Sequence, residues 1–201
     1  VLRHGDLSVL SFHATKVFNT FEGGAIFCPD AQTKQRIDQL KNFGITDEVS
    51  VVAAGINGKM HEVSAAFGLL QLEHIEQSLA ARQQIDTQYR VGLADIAGIR
   101  CVPLFVGGKA NYSYFPILVD PQYSLTRDEL YELLKSNEIY ARRYFYPLIS
   151  SFSMYQNMAS AAQGNLPNAT RVSASILCLP IYPDLSGEDV DRIIGIIRRA
   201  T

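Results

Sequence analysis

Long hydrophobic runs are missing from this sequence: none approaches the roughly 18 apolar residues of a membrane-spanning helix, and no basic-then-apolar leader opens the chain. A cytoplasmic protein with no membrane partner is the expectation. An excess of one charge is missing too. Eighteen lysines and arginines stand against 20 aspartates and glutamates, for a net charge of -2, which offers nucleic acid or an anionic lipid surface little attraction. The three cysteines, Cys28, Cys101 and Cys178, are odd in number, far apart and without metal-ligand spacing, so reduced, mostly buried thiols and no metal are expected. Internal repeats and low-complexity linkers are absent. What is left is a globular chain of 201 residues, enough for one large or two small domains with a substantial core.

The most informative stretch is Ser11-Phe12-His13-Ala14-Thr15-Lys16, closed by Glu22-Gly23-Gly24. Leu7, Val9 and Phe12 mix with Ser8, Leu10 and Ser11 in a short β-rich run, with Lys16 at its mouth. Partial desolvation there lowers a lysine pKa from about 10.4 and frees the amine for Schiff-base chemistry. The bland alternative is an exposed lysine in a strand-to-loop turn. On the residues alone, Ser11 reads as a strand-end hydroxyl bonded to backbone, and His13 as a packed or solvated ring. Asn57, in Gly55-Ile56-Asn57-Gly58, is a good turn former in its own right.

Periodicity divides the rest into a lysine segment, a long helix and a small α/β unit. Gly24 to Cys28 reads as a strand, and Asp30 caps a helix to about Asn42 that buries Ile37, Leu40 and Ile45, with Gly44 ending it. From Glu62 to about Ile96 apolar residues recur at helical spacing, with Val63, Ala66, Phe67, Leu70, Leu72, Ile75, Leu79, Ile85, Tyr89, Leu93 and Ile96 inward. Such a helix suits a spine joining two lobes; the alternative is two helices broken near Gln77-Ser78. Strands are expected over Arg100 to Leu104 and Tyr112 to Val119, with Val106-Gly107-Gly108-Lys109 between them, and over Tyr140 to Tyr146 and Ser175 to Leu179. Thr126-Arg127-Asp128-Glu129 is a capping box before a helix burying Leu130, Leu133 and Leu134. Ser186 opens the last helix, with Val190, Ile193, Ile194 and Ile197 inward and Arg198 and Arg199 at a solvated end. Ser150 to Thr170 reads as a mobile polar loop.

Gly5-Asp6-x-Ser8-x-x-Ser11-Phe12-His13-x-x-Lys16, then Glu22-Gly23-Gly24, resembles the lysine segment of the pyridoxal-phosphate-dependent nucleotide-sugar aminotransferases, the DegT/StrS family. Gly55-x-Asn57-x-Lys59-Met60-x-Glu62-x-x-Ala65-Ala66-x-Gly68-x-x-Gln71-Leu72 is similar to the same family's next block, with Lys59 where arginine is commoner. The resemblance runs on through Arg142-Arg143-Tyr144-Phe145-Tyr146-Pro147-Leu148 and Leu179-Pro180-Ile181-Tyr182-Pro183. It departs at Ile149-Ser150-Ser151, where many members have a histidine.

The resemblance implies an α/β fold of the fold-type-I class. Residues 1–60 would be the end of the large cofactor domain, 61–97 a connecting helix and 98–201 the small C-terminal domain. The start at Val1, with hardly any structure ahead of the lysine strand, suggests a C-terminal piece, inactive alone, whose phosphate loop and pyridinium carboxylate lie upstream. Asp6 is then a turn residue. Lys16 would carry pyridoxal 5'-phosphate and shuttle its proton, Ser11 would bond the phosphate, and Asn57 would reach the phosphate of a neighbouring subunit in a homodimer with shared sites. Glu62 would cap or pair at the start of the long helix. His13 would lie on the substrate side. Arg142, Arg143, Tyr144 and Tyr146 either meet the diphosphate and base of a nucleotide sugar or form the alternating faces of an edge strand. The implied activity moves an amino group, with glutamate as donor, onto a dTDP-linked keto-deoxysugar. A noncatalytic ligand-binding or regulatory relative with the same fold is the alternative.

Overall fold

The computed structural model describes residues 4–104 and 107–200; Val1, and Val106 between the two expected strands, lie outside the described residues. Packing divides the chain into two units, Val1–Glu76 and Gln77–Thr201.

In the first unit, strands β1 (Ser8–Ser11) and β2 (Gly24–Phe27) pair antiparallel, from Ser8 opposite Phe27 to Ser11 opposite Gly24. Asp6 lies in an exposed bend ahead of them. Helix α1 (Ala31–Lys41) starts where Asp30 accepts the Thr33 amide at 2.7 Å, the side-chain cap that its position predicts. That bond holds the Asp30 carboxyl below its ordinary value. At the other end the Gly44 amide returns to the Gln39 carbonyl at 2.8 Å, with Phe43 rather than a glycine taking the first left-handed position at φ 60°.

The expected burial along α1 is not found: Ile37 and Leu40 are only half-buried and Ile45 is exposed. Two apolar side chains on an 11-residue helix give too little area to sink either one. Helix α2 (Glu62–Leu93) is unbroken at Gln77-Ser78, with Glu62 as its first residue. Its opening turns also differ from expectation, since Val63, Ala66, Leu70 and Leu72 are exposed.

The second unit holds the core. Strands β3 (Ile99–Cys101), β4 (Phe115–Val119) and β5 (Ile176–Leu179) form an antiparallel sheet in that order, with β4 central. Phe115, Ile117 and Val119, two residues apart, point into a cluster with Ile85, Tyr89 and Leu93 of α2. Helices α3 (Arg127–Ser136) and α5 (Gly187–Arg199) add Leu130, Leu134, Val190, Ile193 and Ile197, while α4 (Pro167–Ser175) lies against β4. Both expected caps are present: Thr126 and Glu129 bond reciprocally, and Ser186 accepts the Asp189 amide at 3.1 Å. At Gly92 an added Cβ would stand 2.5 Å from Ile194 Cδ1, so a larger residue would require the Ile194 side chain to move. Asp86, 3% exposed, holds the Arg90 fork at 2.6 and 3.3 Å.

Three further expectations are corrected. Tyr140 to Tyr146 is not a strand: Arg142 makes a single bridge with Cys178, after which Tyr144 turns away and Pro147, lacking an N–H, cannot extend a ladder. Ser150 to Thr170 is not an open loop, for it contains short 3-10 turns at Ala159–Ala161 and Gln163–Asn165 and the start of α4. Arg198 is no free helix end, because it donates to both Asp95 oxygens and to the Gly92 carbonyl at 2.7 to 2.9 Å. Among the described residues no helix is long and apolar enough to cross a membrane.

Leu130, fully buried, sets the scale of core stability. Leu130→Ala should lower the unfolding free energy in urea by about 2–5 kcal/mol, against less than about 0.5 for Val91→Ala at an exposed helix position; equal effects would contradict the core assignment. Burial pushes the Cys178 thiol up to about 11. At pH 8 a thiol alkylating reagent should therefore leave Cys178 unmodified until denaturant is added, as peptide mass spectrometry would show.

Candidate functional site

Lys16 lies in the loop between β1 and β2, five residues past the strand end at Ser11 and not in the strand itself. Backbone bonds close that loop. The Phe12 amide donates to the Gly23 carbonyl at 2.8 Å, and the Phe12 carbonyl accepts the Thr20 amide at 2.9 Å. Inside it, the Lys16 amide donates to the His13 carbonyl at 2.9 Å and the His13 amide to Ser11 Oγ at 3.3 Å. Ser11, His13 and Lys16 are thus brought together by their own backbone.

The loop rests on a small apolar support. Phe12 meets Phe18 edge-on at 4.9 Å and Phe21 stacks on Phe67 of α2 at 4.3 Å. Thr20, 2% exposed, donates its hydroxyl to the Glu22 carbonyl at 2.9 Å and presses its methyl toward Gly68. At Gly23, with φ 155°, a Cβ would fall 2.5 Å from Thr20 Oγ1, so the glycine pair in the motif is a packing requirement as well as a bend.

Lys16 is half-buried, and its amine forms no ion pair with any described residue. Ser11 Oγ is exposed and accepts one amide, leaving its hydrogen for another acceptor. His13 Nδ1 lies 2.8 Å from Glu22 Oε1, a partner that no local sequence signal assigns. Asn57 differs from expectation, since it sits in an extended stretch bridged to Asn42 and not in a turn. The Ile56 and Gly58 amides donate to the Leu40 and Lys41 carbonyls at 2.8 Å, which ties this stretch to the end of α1. Among the described residues the exposed Asn57 side chain has no hydrogen bond to the lysine loop. The loop thus carries an amine able to condense with an aldehyde and a hydroxyl able to donate to an anion.

In the second unit the tandem arginines separate. Arg143 donates to Asp128 at 3.0 Å and lies over the Tyr131 ring at 4.4 Å. Arg142 is exposed and makes no ion pair with a described residue. Tyr144 lies tilted against Tyr114, whose hydroxyl donates to that of Tyr144 at 3.0 Å, and Tyr146 covers the guanidinium of Arg127 at 4.6 Å. Arg127 is buried and donates to the Ser173 and Ile176 carbonyls at 2.9 and 3.2 Å and to Asp128 at 2.8 Å. Burial pushes the Asp128 carboxyl up, but the bonds from Arg143 and Arg127 outweigh it and leave the group below its ordinary value. Arg127, Tyr114 and Tyr131 were missed because they lie far from the motif in sequence; the capping box marked Arg127 only as a helix-start residue. Among the described residues no group of three His, Cys, Asp or Glu side chains could hold a metal.

A sequence model described as the DegT/DnrJ/EryC1/StrS aminotransferase family matches residues 2–198. A dTDP-4-amino-4,6-dideoxy-D-glucose transaminase of Shigella dysenteriae is 52% identical over 198 residues, covering 98% of this chain and 53% of that protein. A protein of the same description from Escherichia coli is 55% identical over 177 residues, covering 88% and 48%. The chain therefore spans about half the length of the curated relatives it matches. Among solved structures, DesI in the presence of its TDP-sugar product superposes with a TM-score of 0.88 at 33% identity, over 97% of this chain and 49% of that one. The aminotransferase TlmJ of Streptoalloteichus hindustanus gives 0.87 at 30%, over 98% and 52%. The α/β fold is that of part of these aminotransferases.

Gly68 gives a test of how the loop is supported. Glycine to alanine within a helix normally stabilises by about 1 kcal/mol, yet here the new Cβ would stand 2.8 Å from the buried Thr20 Cγ2. Gly68→Ala should instead cost about 1–3 kcal/mol and speed amide hydrogen exchange in the Phe12–Thr20 loop. A stabilised protein with unchanged exchange would show that the contact does not support the loop.

Proposed function

The chain belongs to the DegT/DnrJ/EryC1/StrS aminotransferase family, and from that premise we propose that the whole protein transfers an amino group from glutamate to carbon 4 of a dTDP-linked 4-keto-6-deoxyhexose. The sugar and the carbon follow the description shared by the Shigella and Escherichia coli relatives. In this reading the fold is of type I, with residues 1–60 the end of the large domain and 98–201 the small domain. The enzyme works in the cytoplasm as a homodimer. The observation that carries the reading is the half-buried Lys16, without an ion-pair partner among the described residues, in the motif loop that opens at Ser11.

Pyridoxal 5'-phosphate, when bound, supplies the aldehyde that takes up the amino group and the conjugated ring that accepts the electron pair left at carbon. Lys16 holds it covalently between turnovers. Its Nζ takes the proton from Cα of the donor amino acid and later delivers one to carbon 4 of the sugar. Ser11 donates its hydroxyl to the phosphate, and Asn57 donates from the neighbouring subunit. His13 faces the sugar.

For the nucleotide diphosphate, Arg142 is the better placed of the tandem arginines, because Arg143 is already committed to Asp128 and Tyr131. Tyr144 and Tyr146 offer flat faces to the base, with Tyr146 held from beneath by Arg127.

Borohydride reduction of the whole protein followed by peptide mapping should place the cofactor label on Lys16. Lys16→Ala should lose the cofactor's visible absorbance and turnover together, at least about a thousandfold as expected for a nucleophile that is also the base. A label on Lys34, Lys41 or Lys59, or turnover without Lys16, would refute the assignment and favour a noncatalytic role for this site.

A further inference from the structure

We propose that Glu22 is a positioning residue that fixes the His13 ring with its hydrogen on Nδ1, leaving Nε2 as a hydrogen-bond acceptor for a sugar hydroxyl. This rests on the reading of His13 as a substrate contact. His13 Nδ1 and Glu22 Oε1 are 2.8 Å apart. An ionised carboxylate has lone pairs and no hydrogen to give, so the hydrogen in this contact belongs to Nδ1. In the neutral ring Nε2 then carries only a lone pair. It can accept from a hydroxyl or an ammonium and can donate to neither.

Both partners are fixed at the backbone. The His13 amide donates to Ser11 Oγ, and its carbonyl accepts the Lys16 amide. The Glu22 amide donates to the Thr20 carbonyl, while the Glu22 carbonyl accepts the hydroxyl of the buried Thr20. The side chains themselves are exposed, at 49% and 80%, so the pair adds little to stability. Its effect is to choose which ring nitrogen carries the hydrogen, as an outer-shell carboxylate does for a metal-bound histidine. The loop that presents Lys16 thereby also presents one oriented acceptor.

The test uses the whole protein labelled with 15N-histidine, at a pH where the ring is neutral, with the His13 signals assigned by their loss in His13→Gln. The wild type should show hydrogen on Nδ1, and Glu22→Ala should move the ring to a mixture of both forms. The same variant should raise KM for the nucleotide sugar roughly threefold to tenfold, the worth of one hydrogen bond, with kcat within about twofold. Glu22→Gln keeps an acceptor oxygen and should restore both the ring form and KM. An unchanged ring in Glu22→Ala overturns the positioning role whatever the kinetics. A shifted ring with KM unaltered in both Glu22→Ala and His13→Ala upholds the positioning role and overturns the reading of His13 as a substrate contact.

Discussion

Both backbone polar groups of Phe12 are satisfied across the loop, one by Gly23 and the other by Thr20, and the placement of the lysine-motif residues follows from that closure. A loop held only at its strand ends would leave its amides to water and its lysine to wander. Pinned at Phe12, it must pass Lys16 around a short circuit that begins at Ser11 and ends on the buried Thr20. The glycines at positions 23 and 68 are what allow Thr20 to be buried at all. One small hydroxyl-bearing side chain is therefore the keystone between the motif and the helix behind it.

The two units distribute their stability differently. The second gathers strands, helix faces and two buried tyrosines around one cluster, with the Tyr123 hydroxyl bonded to the Ile197 carbonyl at 2.6 Å and its acidity shifted by burial to about 12. The first has no comparable cluster among its described residues, and Val9, Val63 and Leu69 stand in the open. The lysine motif thus sits on the unit that lacks a buried cluster among its described residues.

Local signals were legible in the sequence, and non-local ones were not. The caps at Asp30, Thr126 and Ser186 could be read because the interacting groups lie three residues apart. The lysine motif gave the family because its spacing is the loop itself. By contrast, alternation over Tyr140 to Tyr146 looked like a strand, while the actual arrangement depends on Asp128, Tyr114 and Tyr131, whose proximity no periodicity encodes. Burial failed for the same reason: a helical stripe such as Val63, Ala66 and Leu70 states that one face is apolar without saying what meets it. The bond from His13 to Glu22 needed the hairpin register before it could be seen.

Arg127 gathers the first turn of α3, the end of α4, the start of β5 and the Tyr146 ring around one planar fork. A lysine there would keep the charge and lose the branching, since a single ammonium has neither the flat face nor the spread of donors. That makes the neighbourhood of Tyr146 a coupled unit: altering the ring alters the cover over a buried cation. A change at Tyr146 is therefore felt at Asp128 and Arg143 as well, because both share the guanidinium neighbourhood that the ring covers.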